Sequence, residues 1–229
     1  MKSRWNVWAV CAALMLASVG AQAQSNPITI PPAGLVINFD APAGSGLTSP
    51  VNVGFGTGYS VLFSTSGGPG SVGEAPSGAW VLGDNGDWAG GKTFAGVDGG
   101  VAQNGSVASM SFDFSGLTVQ AVGGFMNFDP GFTFGGGFPL PLYIAAYDAN
   151  GALLDSYELP LFTPNGFNAG QFYGIALNAP VIAKFVIEGP YAVVDDLTFT
   201  TPVPEPSTYA MLLAGLGLLG LAARRARRT

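Results

Sequence analysis

Between Ala108 and Phe114 the chain alternates strictly: Ala108, Met110, Phe112 and Phe114 are apolar, and Ser109, Ser111 and Asp113 between them are polar. A strand sends successive side chains to opposite faces, so a period of two describes a half-buried antiparallel strand with one dry and one wet face. No stretch of the central body keeps a 3.6-residue apolar period long enough for a helix. Short strand-like runs recur instead, at Leu35–Phe39, Tyr59–Ser64, Trp80–Leu82, Leu117–Val122, Leu142–Tyr147, Leu153–Leu159, Phe172–Leu177, Ile182–Ile187 and Val193–Thr200. Asp148-Ala149-Asn150-Gly151 predicts a hairpin turn between two of them, because Asn-Gly tolerates the positive φ of tight turns. About ten strands at this spacing predict an all-β fold, an antiparallel β-sandwich with jelly-roll-like connectivity and a long loop over Ser64–Gly78.

Composition removes much chemistry. Histidine is absent and the one cysteine is Cys11, in an apolar run near the N-terminus. No Ser-His-Asp or Cys-His nucleophile, no zinc site built on His or Cys, and no intrachain disulfide can be assembled. Carboxylates are the remaining acid–base resource, and Asp84, Asp87, Asp129 and Glu158 can be paired on paper as a glycoside-cleaving couple. Their spacing selects no two, so no catalytic residue is assigned and the body reads as a binding protein rather than an enzyme. A carboxylate-dependent polysaccharide hydrolase and a purely structural matrix protein are the alternatives.

The two ends read as addresses. Lys2 and Arg4 precede an apolar run from Val7 to Val19, and Ala21-Gln22-Ala23 supplies a small-x-small cleavage pattern. This predicts a secretory signal peptide over residues 1–23, cut by signal peptidase; the run is short of the roughly 20 residues that span a bilayer. The C-terminus combines Pro204-Glu205-Pro206, an apolar stretch from Tyr209 to Ala223, and Arg224, Arg225, Arg227 and Arg228. Two prolines keep the first part extended. The apolar part predicts a short transmembrane helix, and the arginines hold the tail on the cytoplasmic side of the inner membrane. In order, spacing and position, residues 202–229 resemble the PEP-CTERM protein-sorting signal. The resemblance implies exosortase as a partner, with Pro204, Glu205 and Pro206 as the sorting motif. It also implies export through the inner membrane of a Gram-negative bacterium, transient anchoring, and release to the cell surface or an exopolysaccharide matrix.

Between the signals lies a body of residues 24–201 with thirteen acidic residues against two lysines, Lys92 and Lys184, and no arginine. Phosphate neutralisation and bidentate guanine contacts are out of its reach, so nucleic acid is excluded as a partner. Calcium and polysaccharide fit its charge better. In Gly83-Asp84-Asn85-Gly86-Asp87-Trp88, the indole of Trp88 can stack on a sugar while Asp84 and Asp87 take hydroxyls; the same residues also make ordinary turns around a core tryptophan. The Gly123-Gly124 pair marks a bulge or a strand end, or lets a ligand approach the backbone.

Adjacent strand residues face opposite ways, so Asp195 and Asp196 in Val194-Asp195-Asp196-Leu197-Thr198-Phe199 cannot both face the core. That ending resembles the last strand of galactose-binding-like jelly rolls, which include many carbohydrate-binding modules. The resemblance implies a structural calcium ligated by Asp195 near the first strand, where Ile37-Asn38-Phe39-Asp40 supplies Asp40. Read from the residues alone, Asp195 caps a loop and Asp196 is solvated.

Overall fold

A computed structural model of the chain describes residues 26–39, 47–74, 93–97, 107–128, 141–161, 170–202 and 214–216. Thirteen strands run through them: β1 (Leu35–Ile37), β2 (Leu47–Thr48), β3 (Val51–Asn52), β4 (Leu62–Ser66), β5 (Gly70–Glu74), β6 (Thr93–Val97), β7 (Ser109–Asp113), β8 (Ala121–Asn127), β9 (Leu142–Tyr147), β10 (Leu153–Leu159), β11 (Gln171–Ala176), β12 (Lys184–Glu188) and β13 (Val193–Phe199). They form two antiparallel sheets. One has seven strands in the order β11-β8-β13-β6-β5-β2, with β1 also on β13; the other has six in the order β10-β9-β12-β7-β4-β3. The chain crosses repeatedly between them, so each sheet is assembled from distant parts of the sequence.

The alternation read from Ala108 to Phe114 sets the packing. Met110, Phe112 and Phe114 are buried, whereas Asp113 is exposed. Register places Phe63, Phe112 and Phe185 side by side across β4, β7 and β12, a row of aromatic side chains on the inner face. Two phenylalanine contacts join the sheets: Phe39 with Phe112 at 6.1 Å between ring centroids, and Phe114 with Phe199 at 5.1 Å. Tilted pairs of this kind add about 0.5–1.5 kcal/mol each beyond the area they bury.

Three expectations need correction. The span Ser64–Gly78 is not one loop: β4 runs on to Ser66, Gly67 turns the chain at φ 78°, and β5 begins at Gly70. Gly-Ser-Val-Gly-Glu carries no apolar alternation, so it gave no strand signal. The run Leu117–Val122 becomes a strand only from Ala121, and β8 then passes straight through Gly123 and Gly124 without a bulge. The bulge lies on its neighbour β13, between Asp195 and Thr198. The glycine pair answers to crowding instead: a Cβ on Gly123 would stand 2.5 Å from the Tyr173 carbonyl oxygen, and one on Gly124 would strike Val194.

The strand-like run Trp80–Leu82, the signal peptide 1–23 and nearly all of the 202–229 segment lie outside the described residues. Of the expected C-terminal helix only residues 214–216 are described, and they are helical. Among the described residues, no helix is long and apolar enough to cross a membrane.

Candidate binding face

The outer side of the six-stranded sheet is open and polar. Alternation in β9 buries Leu142, Ile144 and Ala146 and turns Tyr143, Ala145 and Tyr147 outward. Register then builds rungs across the strands. Tyr143 stands between Glu158 of β10 and Glu188 of β12, and Tyr147 stands between Leu153 and Lys184. Further along, Lys184 faces Asp113 on β7, and Ser111 faces Ser64 on β4, their hydroxyls 2.9 Å apart.

A shallow groove of about 260 Å³ runs between the two tyrosines, with Ser156, Val186 and Glu188 in its floor and wall. Beyond Tyr147 lies a second depression of about 550 Å³ between Asp113, Lys184 and the Asp148–Gly151 turn. Tyr147 is four steps along the strand from Tyr143, so at about 3.3 Å per residue the two positions lie about 13 Å apart. Aromatic platforms at that spacing on a polar, nearly flat surface suit an extended chain with alternating apolar faces and hydroxyl edges. The Tyr143 hydroxyl donates to Glu158 Oε2 at 3.0 Å. That bond, reinforced by desolvation and the charges of Glu158 and Glu188, raises the phenol above its ordinary pKa. Glu158 and Glu188 flank Tyr143 on its two neighbouring strands, and both are exposed.

Asp148 holds the neighbouring turn. Its Oδ1 accepts the backbone N–H groups of Asn150 and Ala152, each at 2.8 Å, and Gly151 takes φ 80°. The Ala152 bond leads in holding the Asp148 carboxyl below the usual carboxylate range, against an opposing desolvation effect.

The seven-stranded sheet carries a buried polar junction. β13 pairs with β8 on one side; on the other it pairs with β6 at Val193 and Val194, then with β1 from Leu197 to Phe199. Asp195 and Asp196 occupy the changeover. Asp196 takes φ 48°, Asp195 Oδ1 accepts the Asp196 N–H at 2.7 Å, and the Thr198 hydroxyl donates to the Asp196 carbonyl at 3.0 Å. Asp195 shares the outer face with Val193, not the inter-sheet core, yet it is only 2% exposed. On the same face, opposite Val193, sits Asn127, fully buried with neither side-chain nitrogen nor side-chain oxygen hydrogen-bonded. An amide left bare in this way costs about 1–3 kcal/mol per group. Among the described residues no three carboxylate, histidine or cysteine side chains gather.

Of the residues singled out from sequence as candidate ligands or acid–base groups, the structure describes Asp195, Asp196 and Glu158, and Asp129 lies outside the described residues. Asp40, Asp84, Asp87, Trp88 and the Pro204, Glu205 and Pro206 motif lie outside the described residues. Tyr143, Tyr147, Glu188 and Asn127 were not singled out. The first two were available from the alternation Leu142-Tyr143-Ile144, which already turned a tyrosine to the wet side; Asn127 carried no local signal.

Residues 202–228 match the PEP-CTERM protein-sorting motif. The motif implies export and processing by exosortase. No match was found among curated proteins. Among solved structures, the chain is similar to the K2 cleaved adhesin domain of Lys-gingipain, at 15% identity and a TM-score of 0.35, over 74% of this chain and 99% of that one. It is also similar to a DUF4465 family protein from Bacteroides caccae ATCC 43185, at 10% identity and a TM-score of 0.30, over the same shares. Both likenesses lie below the level at which a shared fold can be asserted.

Proposed function

We propose that this exosortase-sorted chain is a surface or matrix protein that binds polysaccharide through the outer face of its six-stranded sheet. The observation that carries the reading is the pair Tyr143, exposed, and Tyr147, half-buried, about 13 Å apart on an outer face that also carries serines, carboxylates, Lys184 and the apolar Ala145, Leu153 and Val186. Each ring offers a stacking surface. Glu158, Glu188, Ser156 and Lys184 supply acceptors and donors for sugar hydroxyls at the ring edges, and the open groove leaves the polymer free to run past both ends. Affinity then comes from a few aromatic contacts with polar groups fixing orientation.

The calcium expectation belongs to the same reading, with Asp195 as a ligand and Asp40 as the residue expected to join it from the first strand. When bound, the cation would supply fixed charge that ties the ends of β1 and β6 to β13, a structural contribution that leaves the binding face on the other sheet.

The test is binding of the purified full-length chain to the extracellular polysaccharide of the producing bacterium, measured beside Tyr143→Ala/Tyr147→Ala and with an assay for released reducing ends. Retained binding in the wild type and its loss in the double variant, with no release, supports the reading. Binding unaffected by the double variant overturns the assigned face, and release of reducing ends moves the protein to the hydrolases.

A further inference from the structure

The register of the six-stranded sheet arranges its outward side chains in rows that run across the strands. The middle row is Ser156, Ala145, Val186, Ser111 and Ser64, on β10, β9, β12, β7 and β4 in turn, each directly opposite the next. None of these side chains is larger than valine. Two residues to one side along the strands stand Tyr143, Glu158 and Glu188; two residues to the other stand Tyr147, Leu153 and Lys184. A row of short side chains between two rows of tall ones is a trough, and its axis is perpendicular to the strands. Five strands at a spacing of about 4.8 Å make it about 19 Å long, room for several sugar rings end to end. The groove between the two tyrosines is its walled part, with Ala145, Val186 and Ser156 in the lining.

The trough decides the course of a bound polymer. A chain laid along β9 has to climb over Tyr143 or Tyr147, whereas one laid across the strands passes between them and then over Ser111 and Ser64. The hydroxyls of these serines lie 2.9 Å apart, and each keeps an acceptor for a further partner. The floor is thus apolar at Ala145 and Val186 and hydroxylic beyond, which matches a sugar ring with apolar faces and polar edges.

Charge narrows the occupant. Lys184 is the only basic residue among the described ones, and Asp113 stands opposite it on β7. Glu158 and Glu188 face Tyr143 and Ser109 across the strands, with no basic residue opposite either. These carboxylates accept hydrogen bonds from sugar hydroxyls and repel uronate or phosphate groups on a polymer.

We propose that an uncharged linear polysaccharide lies across the strands in this trough, from Ser156 on β10 to Ser64 on β4, with Tyr143 and Tyr147 as its side walls. The proposal rests on the reading of this face as the polysaccharide-binding one, and adds the course of the polymer, its charge class, and Ser111 and Ser64 as floor residues.

The experiment is binding of the full-length chain to the extracellular polysaccharide of the producing bacterium, divided by anion exchange into an uncharged and a uronate-bearing fraction. Ser111→Trp, Ser64→Trp, Ser111→Ala and Tyr143→Ala/Tyr147→Ala are measured beside the wild type. The uncharged fraction binds the wild type more tightly. Ser111→Trp and Ser64→Trp each block the floor two or more strands away from the tyrosines and weaken binding about tenfold or more. Ser111→Ala leaves the floor open and stays within about threefold. Tryptophan is at home on a strand, and if Ser111→Trp fails to fold, Ser64→Trp decides. Both tryptophan variants binding like the wild type, while the double tyrosine variant loses binding, overturns the course across the strands and leaves the face standing. Unchanged binding in the double tyrosine variant overturns the face and the trough together. Tighter binding of the uronate-bearing fraction overturns the charge class.

Discussion

Tyr143 and Glu158 are directly opposite in the β9–β10 pair, and the phenol donates a 3.0 Å hydrogen bond to the carboxylate on the solvent side of the sheet. The bond fixes the ring's azimuth over the groove, so the tyrosine offers a stacking surface that does not have to be ordered when a ligand arrives.

Separating the ring from its hydroxyl tests that arrangement. Tyr143→Ala should weaken polysaccharide binding at least tenfold, as expected for an aromatic anchor, while Tyr143→Phe should cost about threefold or less. Affinity electrophoresis or calorimetry on the same polysaccharide reads both. Equal losses in the two variants would assign the contact to the hydroxyl and not to the ring face.

The hairpin between β9 and β10 has a sign fixed by Asp148. Its carboxyl is held below the ordinary value of 3.8 in the folded chain, chiefly by the Ala152 N–H. A depressed folded-state pKa stabilises above the unfolded value, and the contribution disappears as pH falls through the lower, folded value. Asp148→Ala should therefore lower Tm at neutral pH, and the gap to the wild type should narrow below about pH 4. A gap that stays constant through that range would show that the turn does not depend on the ionised carboxylate.

Gly123 and Gly174 face one another across β8 and β11. A Cβ on Gly123 would come within 2.6 Å of the Gly174 Cα as well as meeting the Tyr173 carbonyl, so the two strands would have to part. Gly123→Ala should destabilise by about 1–3 kcal/mol in denaturant titration, the usual cost of overpacking. By contrast, Gly116 has φ 77° with nothing within 4 Å of an added Cβ, so Gly116→Ala should lose stability through backbone strain alone.

What the sequence made legible followed from strict alternation. Leu142–Tyr147 and Leu153–Leu159 have the expected bounds, and β7 and β13 differ from expectation by a residue at their ends, because each has a wet and a dry side or a continuous apolar run. β2, β3, β5 and β6 were missed: they are short or lack apolar alternation, and pairing with other strands holds them in place. The binding face was half legible. Alternation turns Tyr143 outward, but only the pairing of β9 with β10 and β12 puts Glu158 and Glu188 beside it. Asn127 was illegible, since its oddity is a missing hydrogen bond, and hydrogen bonds are set by tertiary neighbours.

The last described strand, β13, is also an interior one, with β8 along one side and β6 and β1 sharing the other. A chain that crosses a membrane N-terminus first delivers this strand after the other described ones. Until it arrives, no ladder among the described residues connects β11 and β8 to β6, β5 and β2, and none holds β1. Among the described strands, the seven-stranded sheet therefore closes only once β13 has arrived. Once closed, the strand leading to the C-terminal tail is clamped from both sides, so a pull from the membrane loads two ladders in shear instead of peeling an edge.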